Sequence, residues 1–574
     1  MNAANTVGAR RWLVLIALSL SVLVVGVDMT VLNVALPTIG PALHASSTDL
    51  QWFADAYSLV VAAALLPAGL LGDRYGRKTL LMIGLVLFCV TSAACAYAPN
   101  AGTLIAVRAA LGLGAAAITP LAMAVLPVMF NAAERPKAIA FLMTSTMLGL
   151  PLGPVLGGWL LTRYWWGSVF LINVPITLLA VAAVALLMPQ SRNPRAGRFD
   201  TVGAVLSSAG LAALTYGLVQ ADSDGWAGAQ SLGTIVAGVA LLVLFVLAVR
   251  RLGARPGSEP LIDLALFRSG GFSWGTALAT LTSFALFGLM FAMPQYFQDV
   301  QGTSSLGAGL RLLPMIGGLV VGGGIAARLR TPRPARDGGP ALPMLGARPV
   351  VGFGLGVMVI GLALGAATKQ HSGEGYAALW FVLVGFGLGF ALPATTDTAL
   401  GALSKERAGM GSAVIMAMRQ VGGTIGVAVL GTILGSAYRS RLDSSAAAAA
   451  VPAPVRTEAG QSITAGVAVA EHAASVPLLD AVRDAFVHAM DGMLVVCAVI
   501  ALVGTLLAVV FLPGRRAAAA AAAATEGTAV DGAVADGTEL DGLDGTALDG
   551  VVAVPAPGPA AADEEEEDES VAAN

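Results

Sequence analysis

Apolar stretches dominate the chain from Trp12 to about Leu512, and short polar segments separate them. Fourteen of these stretches are long enough for a helix to cross a bilayer, since about 20 apolar residues span the roughly 30 Å hydrocarbon core. The pattern therefore predicts an all-α polytopic membrane protein. We place the spans near residues 12–36, 49–71, 79–98, 102–129, 137–160, 167–188, 202–220, 231–249, 272–297, 306–328, 349–367, 375–398, 409–435 and 491–512.

The composition is that of a membrane protein rather than a soluble one. Of the 574 residues, 56% are hydrophobic and 12% are charged, whereas soluble proteins are about a quarter charged. The net charge of −3 hides an uneven distribution, because residues 517–574 carry fourteen acids and no Lys or Arg. This tail cannot bury enough apolar surface to fold, so we expect it to be disordered. The remaining chain is basic, which favours contact with anionic lipid over nucleic acid.

The distribution of Lys and Arg predicts the orientation in the membrane. With the amino terminus inside, the inner loops and termini hold 23 of the 32 basic residues, and the outer loops hold six. Basic residues concentrate on the cytoplasmic side of membrane proteins. We therefore expect both termini in the cytoplasm, with Arg10 and Arg11 preceding a first span that is not a cleaved signal.

An internal repeat indicates two halves. Span two ends in GLLGDRYGRK (69–78), and span ten ends in GGGIAARL (322–329). Transporters commonly combine such repeats and place the substrate site between them. We predict a cytoplasmic amino terminus at residues 1–11 and a six-helix bundle at 12–188. A linker with two extra spans follows at 189–271, then a second six-helix bundle at 272–512. Residues 513–574 are predicted to form a disordered cytoplasmic tail. The second bundle includes an outer loop at 436–490, with an amphipathic helix near 477–488.

Three ionisable residues lie at matching depth in the spans of the first half. Asp28 in span one, Asp55 in span two and Arg108 in span four fall about 6–12 Å below the outer surface, at about 1.5 Å per residue. Charged groups inside a membrane are costly and often functional. We predict a buried charge network that either relays protons or clamps the helices structurally. Asp55 could alternatively lie in the interface.

The second half contains one further acid and base within its spans. Asp397 lies near the inner end of span twelve, and Arg419 lies near the middle of span thirteen. These two residues could form a second pair, or Arg419 could face water alone.

Span five carries a stripe of small residues interrupted by prolines. Ser145, Gly149, Gly153 and Gly157 recur every four residues, which places them on one helical face. Such a face lets a neighbouring helix approach closely. The combination of Gly-Pro and Gly-Gly in GPVLGG (153–158) is rarer than a glycine stripe alone.

No pattern in the sequence predicts a metal or cofactor site. Cys89, Cys95 and Cys497 lie within apolar spans, which favours small buried side chains over a disulfide. The four histidines are scattered, and the chain has no GxxxxGK[ST] phosphate-binding loop. We therefore expect no cofactor and no ATP hydrolysis, and a transporter rather than an enzyme.

Several of these segments together resemble the major facilitator superfamily, specifically its fourteen-span drug:proton antiporters. VDMTVLNVALP (27–37) is similar to the span-one motif of that group. QWFADAYSL (51–59) and WWGSVFLINVPI (165–176) are similar to members that export quaternary ammonium compounds and cationic dyes. The family's inner-loop motif is matched by Gly69, Asp73, Arg74, Gly76, Arg77 and Lys78. Its arginine motif is matched by Arg108 and Gly112. Its antiporter motif is matched by Gly149, Gly153, Pro154, Gly157 and Gly158.

The resemblance implies the major facilitator fold, with two six-helix bundles plus two extra helices, working by alternating access. Proton entry would drive the export of amphiphilic drugs, antibiotics or toxic organic compounds, which we expect to be cationic, by a monomer in the bacterial cytoplasmic membrane. The Asp73 carboxylate would cap a facing helix end. A proton-coupled importer of a small metabolite is the alternative. We assign proton coupling or substrate binding to Asp28, Asp55, Arg108, Asp397 and Arg419.

Overall fold

The computed structural model is almost entirely helical in the part of the chain that it describes. One two-residue strand pairing joins Pro332–Arg333 to Leu342–Pro343. The described residues are 3–130, 134–188, 190, 200–253, 261–330, 332–333, 342–343, 345–403, 408–512 and 514. The predicted acidic tail lies outside them, as do the side chains of 3–10, of Asp73 and of part of 127–151.

The helices follow the predicted spans. Thirteen helical segments of the described chain are long and apolar enough to cross a membrane, and a further helix at Arg135–Arg163 coincides with the remaining predicted span. The prediction of an all-α membrane protein is therefore confirmed. In chain order the helices are α1 (Ala3–Ala42), α2 (Ser47–Tyr75), α3 (Arg77–Ala96), α4 (Ala101–Met129), α5 (Arg135–Arg163), α6 (Ser168–Leu171), α7 (Asn173–Leu187), α8 (Thr201–Asp224), α9 (Ala229–Gly253), α10 (Gly270–Gln295), α11 (Ser305–Arg311), α12 (Leu313–Arg330), α13 (Ala347–Gly365), α14 (Glu374–Leu400), α15 (Ala408–Asp443), α16 (Ala446–Ala449), α17 (Ala453–Ala459), α18 (Ile463–His472) and α19 (Val476–Phe511).

Local sequence signals set the ends of several helices. The Ser46 side chain accepts a hydrogen bond from the Asp49 N–H, and the Asp49 carboxylate accepts one from the Ser46 N–H, which together form the capping box of α2. Asn100 caps α4 by accepting from the Thr103 N–H. Between α2 and α3, Gly76 has a φ of +113°. Glycine makes this turn possible because residues with a Cβ rarely adopt that conformation.

Prolines divide two of the predicted spans into pairs of helices. Pro175 follows the break between α6 and α7, and Pro314 follows the break between α11 and α12. A proline nitrogen has no hydrogen to donate to the carbonyl four residues earlier, and its ring crowds that turn. The interruptions accordingly fall at Ile172 and Leu312, within one turn before each proline.

The segment between the last two long helices is shorter than the predicted outer loop at 436–490. α15 continues to Asp443, and α19 begins at Val476. The amphipathic helix predicted near 477–488 is the first part of α19. The intervening residues 444–475 contain the short helices α16, α17 and α18, and we call this segment the cap.

Buried apolar side chains explain why both helices extend this far. Tyr438 and Leu442 on α15 and Val482 and Phe486 on α19 are each at most 2% exposed. The Tyr438 and Phe486 rings meet edge to face, with centroids 6.5 Å apart. Charged residues alternate with these positions in the sequence, so hydropathy alone does not identify them as parts of long helices.

The helices pack as two sets that α8 joins. α1 to α7 pack mainly with one another, and so do α10 to α15 together with α19. α8 contacts α2 from the first set and α15 from the second, whereas α9 packs on α8 and is largely exposed. Leu211, Leu218 and Val219 are the buried apolar residues of α8 in these contacts. The arrangement is the predicted one of two six-helix bundles plus two extra helices.

Candidate functional site

Asp28 and Arg108 form an ion pair in the interior of the first bundle. Arg108 Nη1 lies 2.7 Å from Asp28 Oδ2, which joins α4 to α1. Asp28 is 0% exposed and Arg108 is 1% exposed. Ions lose their hydration in such a place, so a buried pair is stable only when its remaining polar groups are also satisfied. The structure thus brings together two residues that the sequence places at matching depth.

Groups from two further helices bond to this pair, and a residue of a third helix bonds to one of those groups. Arg108 Nε donates to the Phe53 carbonyl of α2 at 3.1 Å. Asn173 Nδ2, at the start of α7, donates to Asp28 Oδ1 at 3.0 Å and lies 3.1 Å from Ser92 Oγ of α3. Each carboxylate oxygen of Asp28 therefore has a partner. We call these five residues the charge network.

The backbone geometry around Arg108 allows α2 to approach it. The guanidinium carbon lies 4.5 Å from the centroid of the Tyr57 ring, within the range of a cation–π contact. Gly112, one turn further along α4, makes room for this approach, because a Cβ there would lie 2.7 Å from the Tyr57 carbonyl oxygen. The break at Ile172 places Asn173 at the first position of α7. The network therefore depends on a helix break as well as on side chains.

Asn173 and Ser92 are not among the site residues predicted from the sequence. Asn173 belongs to the quoted segment WWGSVFLINVPI, where a lone amide among apolar residues is a usable signal. Ser92 carries no comparable signal, because small hydroxyl residues are common in membrane helices and can hydrogen-bond their own backbone.

Asp55 lies apart from the charge network, whereas the sequence predicted a buried group that includes Asp55 together with Asp28 and Arg108. It is 0% exposed, and neither of its carboxylate oxygens has a hydrogen-bond partner among the described residues. Gln51 and Leu59, one turn to either side on the same face of α2, pack against Gly431 of α15 and Leu211 of α8 respectively. Asp55 is therefore on the face of α2 that meets the second bundle and α8.

Asp397 and Arg419 do not form the second pair that the sequence allowed. Asp397 Oδ2 instead lies 3.6 Å from Arg330 Nη1, which also donates to the Ala394 carbonyl at 2.7 Å. Arg419 Nε donates to Ser283 Oγ of α10 at 3.3 Å, so Arg419 does not face water alone either. The reason is that the two residues lie at different depths along their helices. Asp397 is in the last turn of α14, whereas Arg419 is about 16 Å along α15 from its start, at about 1.5 Å per residue.

The inner-loop motif forms the turn between α2 and α3 and attaches it to α7. Lys78 Nζ donates to the Ala185 carbonyl at 2.7 Å, in the last turn of α7. A cation is favourable there because the carboxyl end of a helix carries partial negative charge. The Lys78 N–H also donates to Gln190 Oε1 at 3.2 Å. The predicted capping role of Asp73 concerns a side chain outside the described residues, so it stays a prediction. The other predicted members of this motif are Gly69, Arg74, Gly76 and Arg77.

The glycine stripe of α5 packs directly on α1. A Cβ at Gly149 would lie 2.8 Å from the Leu23 carbonyl oxygen, and one at Gly153 would lie 2.8 Å from the Val27 carbonyl oxygen. Gly157 continues the same contact further along α1. These distances are too short for any real Cβ, so the two backbones can approach this closely only with glycine at these positions. The predicted close approach of a neighbouring helix is therefore present, and the neighbour is α1.

The same motif also contacts the second bundle through α11. A Cβ at Gly158 would lie 2.6 Å from the Ser305 carbonyl oxygen. Gly309 of α11 faces the Pro154 carbonyl in turn. The motif thus has one face on its own bundle and another on the opposite bundle, at the end of the molecule where α5 ends and α11 begins.

Two bundles of membrane-spanning helices, with a fully buried ion pair inside one of them, are the architecture of a multi-pass membrane transporter. The chain belongs to the Major Facilitator Superfamily, whose family model matches residues 18–427. It is 32% identical over 522 residues to the Tetracenomycin C resistance and export protein of Streptomyces glaucescens, covering 88% of this chain and 92% of the relative. It is 34% identical over 485 residues to the multidrug efflux pump LfrA of Mycolicibacterium smegmatis, covering 83% and 91%.

Solved structures show the same fold. A bacterial homologue of the human lysosomal transporter Spinster matches with a TM-score of 0.59 at 18% identity, covering 88% of this chain and 98% of that structure. At this identity the likeness concerns the fold alone.

We expect Gly153→Leu to destabilise the protein, because the added side chain has no room between α5 and α1. Overpacking of this kind costs about 1–3 kcal/mol. The purified full chain in detergent should therefore lose its monodisperse size-exclusion peak at a lower temperature than wild type.

The matched control is Gly324→Leu on α12, where a Cβ would have nothing within 4 Å. This variant should behave like wild type. Equal thermal losses in the two variants would show that the α1–α5 contact has no special requirement for glycine.

Proposed function

We propose that the chain is a proton-driven antiporter that exports amphiphilic drugs, antibiotics or toxic organic compounds across the bacterial cytoplasmic membrane by alternating access. The observation that carries the proposal is the fully buried pair of Asp28 and Arg108, whose charge balance a proton can change. Export is supported by the relatives, one named as a resistance and export protein and another as a multidrug efflux pump. The transporter would work as a monomer and without a cofactor.

The proposed orientation has both termini in the cytoplasm. Its support is the excess of Lys and Arg in the segments that would then be inside, 23 against six outside. α1 would begin at the cytoplasmic face and end at the outer face. The bundles at 12–188 and 272–512 would rock against each other, with α8 and α9 following between them.

Proton coupling would act through the charge of Arg108. A proton on Asp28 removes the negative partner of the guanidinium and leaves it with the Phe53 carbonyl and the Tyr57 ring. Removing one member of a buried pair costs about 3–5 kcal/mol. The membrane potential supplies about 2.3 kcal/mol per charge per 100 mV, so two protons at 100 mV carry about 4.6 kcal/mol, which is enough to favour a different packing of α1 against α4.

Asp55 would bind the cationic part of a substrate. It is a buried carboxylate without a hydrogen-bond partner in the described chain, on the face of α2 that meets α15 and α8. Burying an unpaired ionised group is costly, and an organic cation or a proton would offset that cost. The position at the junction of the bundles would let the site open to either face as they move. Asp397 and Arg419, which lie on α14 and α15, stay predictions for roles in the same cycle.

Asp28→Asn should abolish drug efflux against a gradient while leaving the protein in the membrane. The amide keeps the size of the side chain but can neither balance Arg108 nor exchange a proton. Efflux is measured in cells or inside-out vesicles at matched membrane abundance, with Asp480→Asn on the exposed start of α19 as the control. Transport by Asp28→Asn at the wild-type rate, with the wild-type dependence on pH, would contradict the assignment.

Asp55→Asn should weaken the transport of cations more than that of uncharged substrates. The probes are tetraphenylphosphonium, a permanent cation, and 2-aminoanthraquinone, an uncharged planar ring system. The variant should raise the KM for tetraphenylphosphonium and leave that for 2-aminoanthraquinone near wild type. Equal losses for both probes would point instead to a role of Asp55 in coupling or structure.

The direction of proton movement separates an exporter from an importer. In inside-out vesicles energised to an acidic lumen, a transported drug should partly collapse the pH gradient, because protons leave as the drug enters. A fluorescent amine that reports luminal acidity measures this response, with Asp28→Asn vesicles as the control. If the drug instead made the lumen more acidic, drug and proton would move together and the chain would be a symporter.

A further inference from the structure

Three polar side chains at the mutual contact of α2, α8 and α15 have no hydrogen-bond partner in the part of the chain that the structure describes. They are the Asp55 carboxylate of α2, the Thr215 hydroxyl of α8 and the Thr424 hydroxyl of α15. Each of these residues is 0% exposed. A buried polar group without a partner has lost its bonds to water and replaced none of them, which is unfavourable, and more so for a charged group.

Two layers of apolar side chains, one on either side, show that the three groups lie at one level. Each layer takes one residue from α2, one from α8 and one from α15: Leu59, Leu211 and Val421 toward the amino ends of α8 and α15, and Trp52, Leu218 and Ala428 toward their carboxyl ends. Asp55, Thr215 and Thr424 are each three or four residues from both layer members on the same helix. Residues at that spacing share one helical face, so the three groups face one another's helices at the same level. We call them the polar junction.

Two hydrogen bonds fix α15 against its neighbours around this level. Gln420 Nε2, one turn before Thr424, donates to the Ser58 carbonyl of α2 at 3.4 Å. The Thr432 hydroxyl, about two turns after Thr424, donates to the Leu218 carbonyl of α8 at 2.8 Å. The polar junction therefore lies where the first bundle, the second bundle and the extra helix α8 meet.

We propose that the polar junction binds the primary ammonium group of a cationic substrate, and that the extra helix α8 belongs to the site through Thr215. A primary ammonium group carries one positive charge and three N–H donors, and hydroxyl and carboxylate oxygens accept hydrogen bonds. The junction offers the charge of Asp55 and acceptor oxygens from three helices, so each donor has an acceptor on a different helix. The inference rests on the proposed export of cations through Asp55 and names the class of cation that this site prefers.

A cation without N–H groups satisfies the polar junction only in part. A trimethylammonium head balances the charge of Asp55 but leaves the Thr215 and Thr424 hydroxyls unpaired. Sites built to hydrogen-bond a substrate group discriminate strongly against analogues that lack that group, because buried polar atoms then stay unpaired. The tight apolar layers on either side also favour the smaller head group. Since the three groups are fully enclosed in this packing, the head group would enter when α2 and α15 move apart as the bundles rock.

The test uses decylammonium and decyltrimethylammonium, two cations that share one alkyl chain and differ in their N–H donors. Decylammonium keeps its proton at neutral pH, as the lysine side chain does. Equilibrium binding to the full chain in nanodiscs gives the Kd, and competition with tetraphenylphosphonium export in inside-out vesicles gives the inhibition constant. The wild-type chain should bind decylammonium more tightly than decyltrimethylammonium, and this comparison needs no variant.

Valine substitutions test the two hydroxyls. Thr215→Val and Thr424→Val each keep the shape of the side chain and remove its hydrogen-bonding oxygen. Each should raise both constants for decylammonium at least about tenfold, the loss expected for one hydrogen bond to a charged group. Both constants for decyltrimethylammonium should stay near wild type. Asp55→Asn, which removes the charge, should weaken both probes.

Two further variants separate the hydroxyl from general packing. Thr215→Ser keeps the hydroxyl and loses a methyl group, so it should keep the wild-type preference for decylammonium. The matched control is Thr505→Val on α19, whose hydroxyl donates to the Ala501 carbonyl of its own helix at 2.8 Å. It should change the constants of neither probe.

The outcomes separate the site from the function. Equal binding of the two probes by the wild-type chain, or unchanged binding of decylammonium in both valine variants, would overturn the site. Equal losses for both probes in the valine variants would also overturn it, since they would reflect packing rather than hydrogen bonds. In each of these cases normal export of tetraphenylphosphonium would leave the proposed function standing. Failure of the wild-type chain to export tetraphenylphosphonium would count against the proposed function itself.

Discussion

The charge of Arg108 is the constraint around which the first bundle is built. A guanidinium cannot give up its proton in a protein, so a buried arginine needs a partner in every arrangement that keeps it from water. Asp28 supplies that partner at 2.7 Å, and the Phe53 carbonyl occupies a further donor. Asn173 in turn fixes the second carboxylate oxygen. The interior of the bundle therefore has one charge state in this packing and would have another once Asp28 carried a proton.

Glycine contacts hold α1 where this pair can form. Lipid tails are as apolar as the side chains, so close packing rather than the hydrophobic effect must bring membrane helices together. Gly149 and Gly153 of α5 rest on the carbonyls of Leu23 and Val27, which lie just over one turn before Asp28 and next to it on α1. A bulkier residue on α5 would displace the carboxylate as well as the helix. The antiporter motif and the charge network are in this sense one structural unit.

The sequence predicted most of the fold, because hydropathy identifies the segments that can cross a bilayer and the distribution of basic residues indicates their orientation. It also placed Asp28 and Arg108 at one depth, since depth follows from position along a span. It did not predict the partner of Asp397: its neighbour Arg330 lies at the end of a different helix, in contact only through the packing of α12 on α14. Asn173 depended on a helix break at Ile172, which Pro175 marks in the sequence, but its contact with Asp28 on α1 follows only from how the helices pack.

The cap shows why some tertiary structure leaves no sequence signal. Two of its bonds to the bundles are accepted by the carbonyls of Gln461 and Ala459 and need only the backbone of the cap, whereas the Thr464 hydroxyl donates to Asp299 Oδ2 at 2.8 Å. The specific side chains, Ser47 and Tyr438, belong to the helices beneath it. A segment rich in alanine, serine and valine can thus attach to both bundles without a recognisable motif. The bonds that Ser47 and Tyr438 donate to the cap are neutral hydrogen bonds, each with a net worth of about 0.5–1.5 kcal/mol, so the packing of Ala459, Ile463 and Ala470, each at most 2% exposed, must also hold the cap in place.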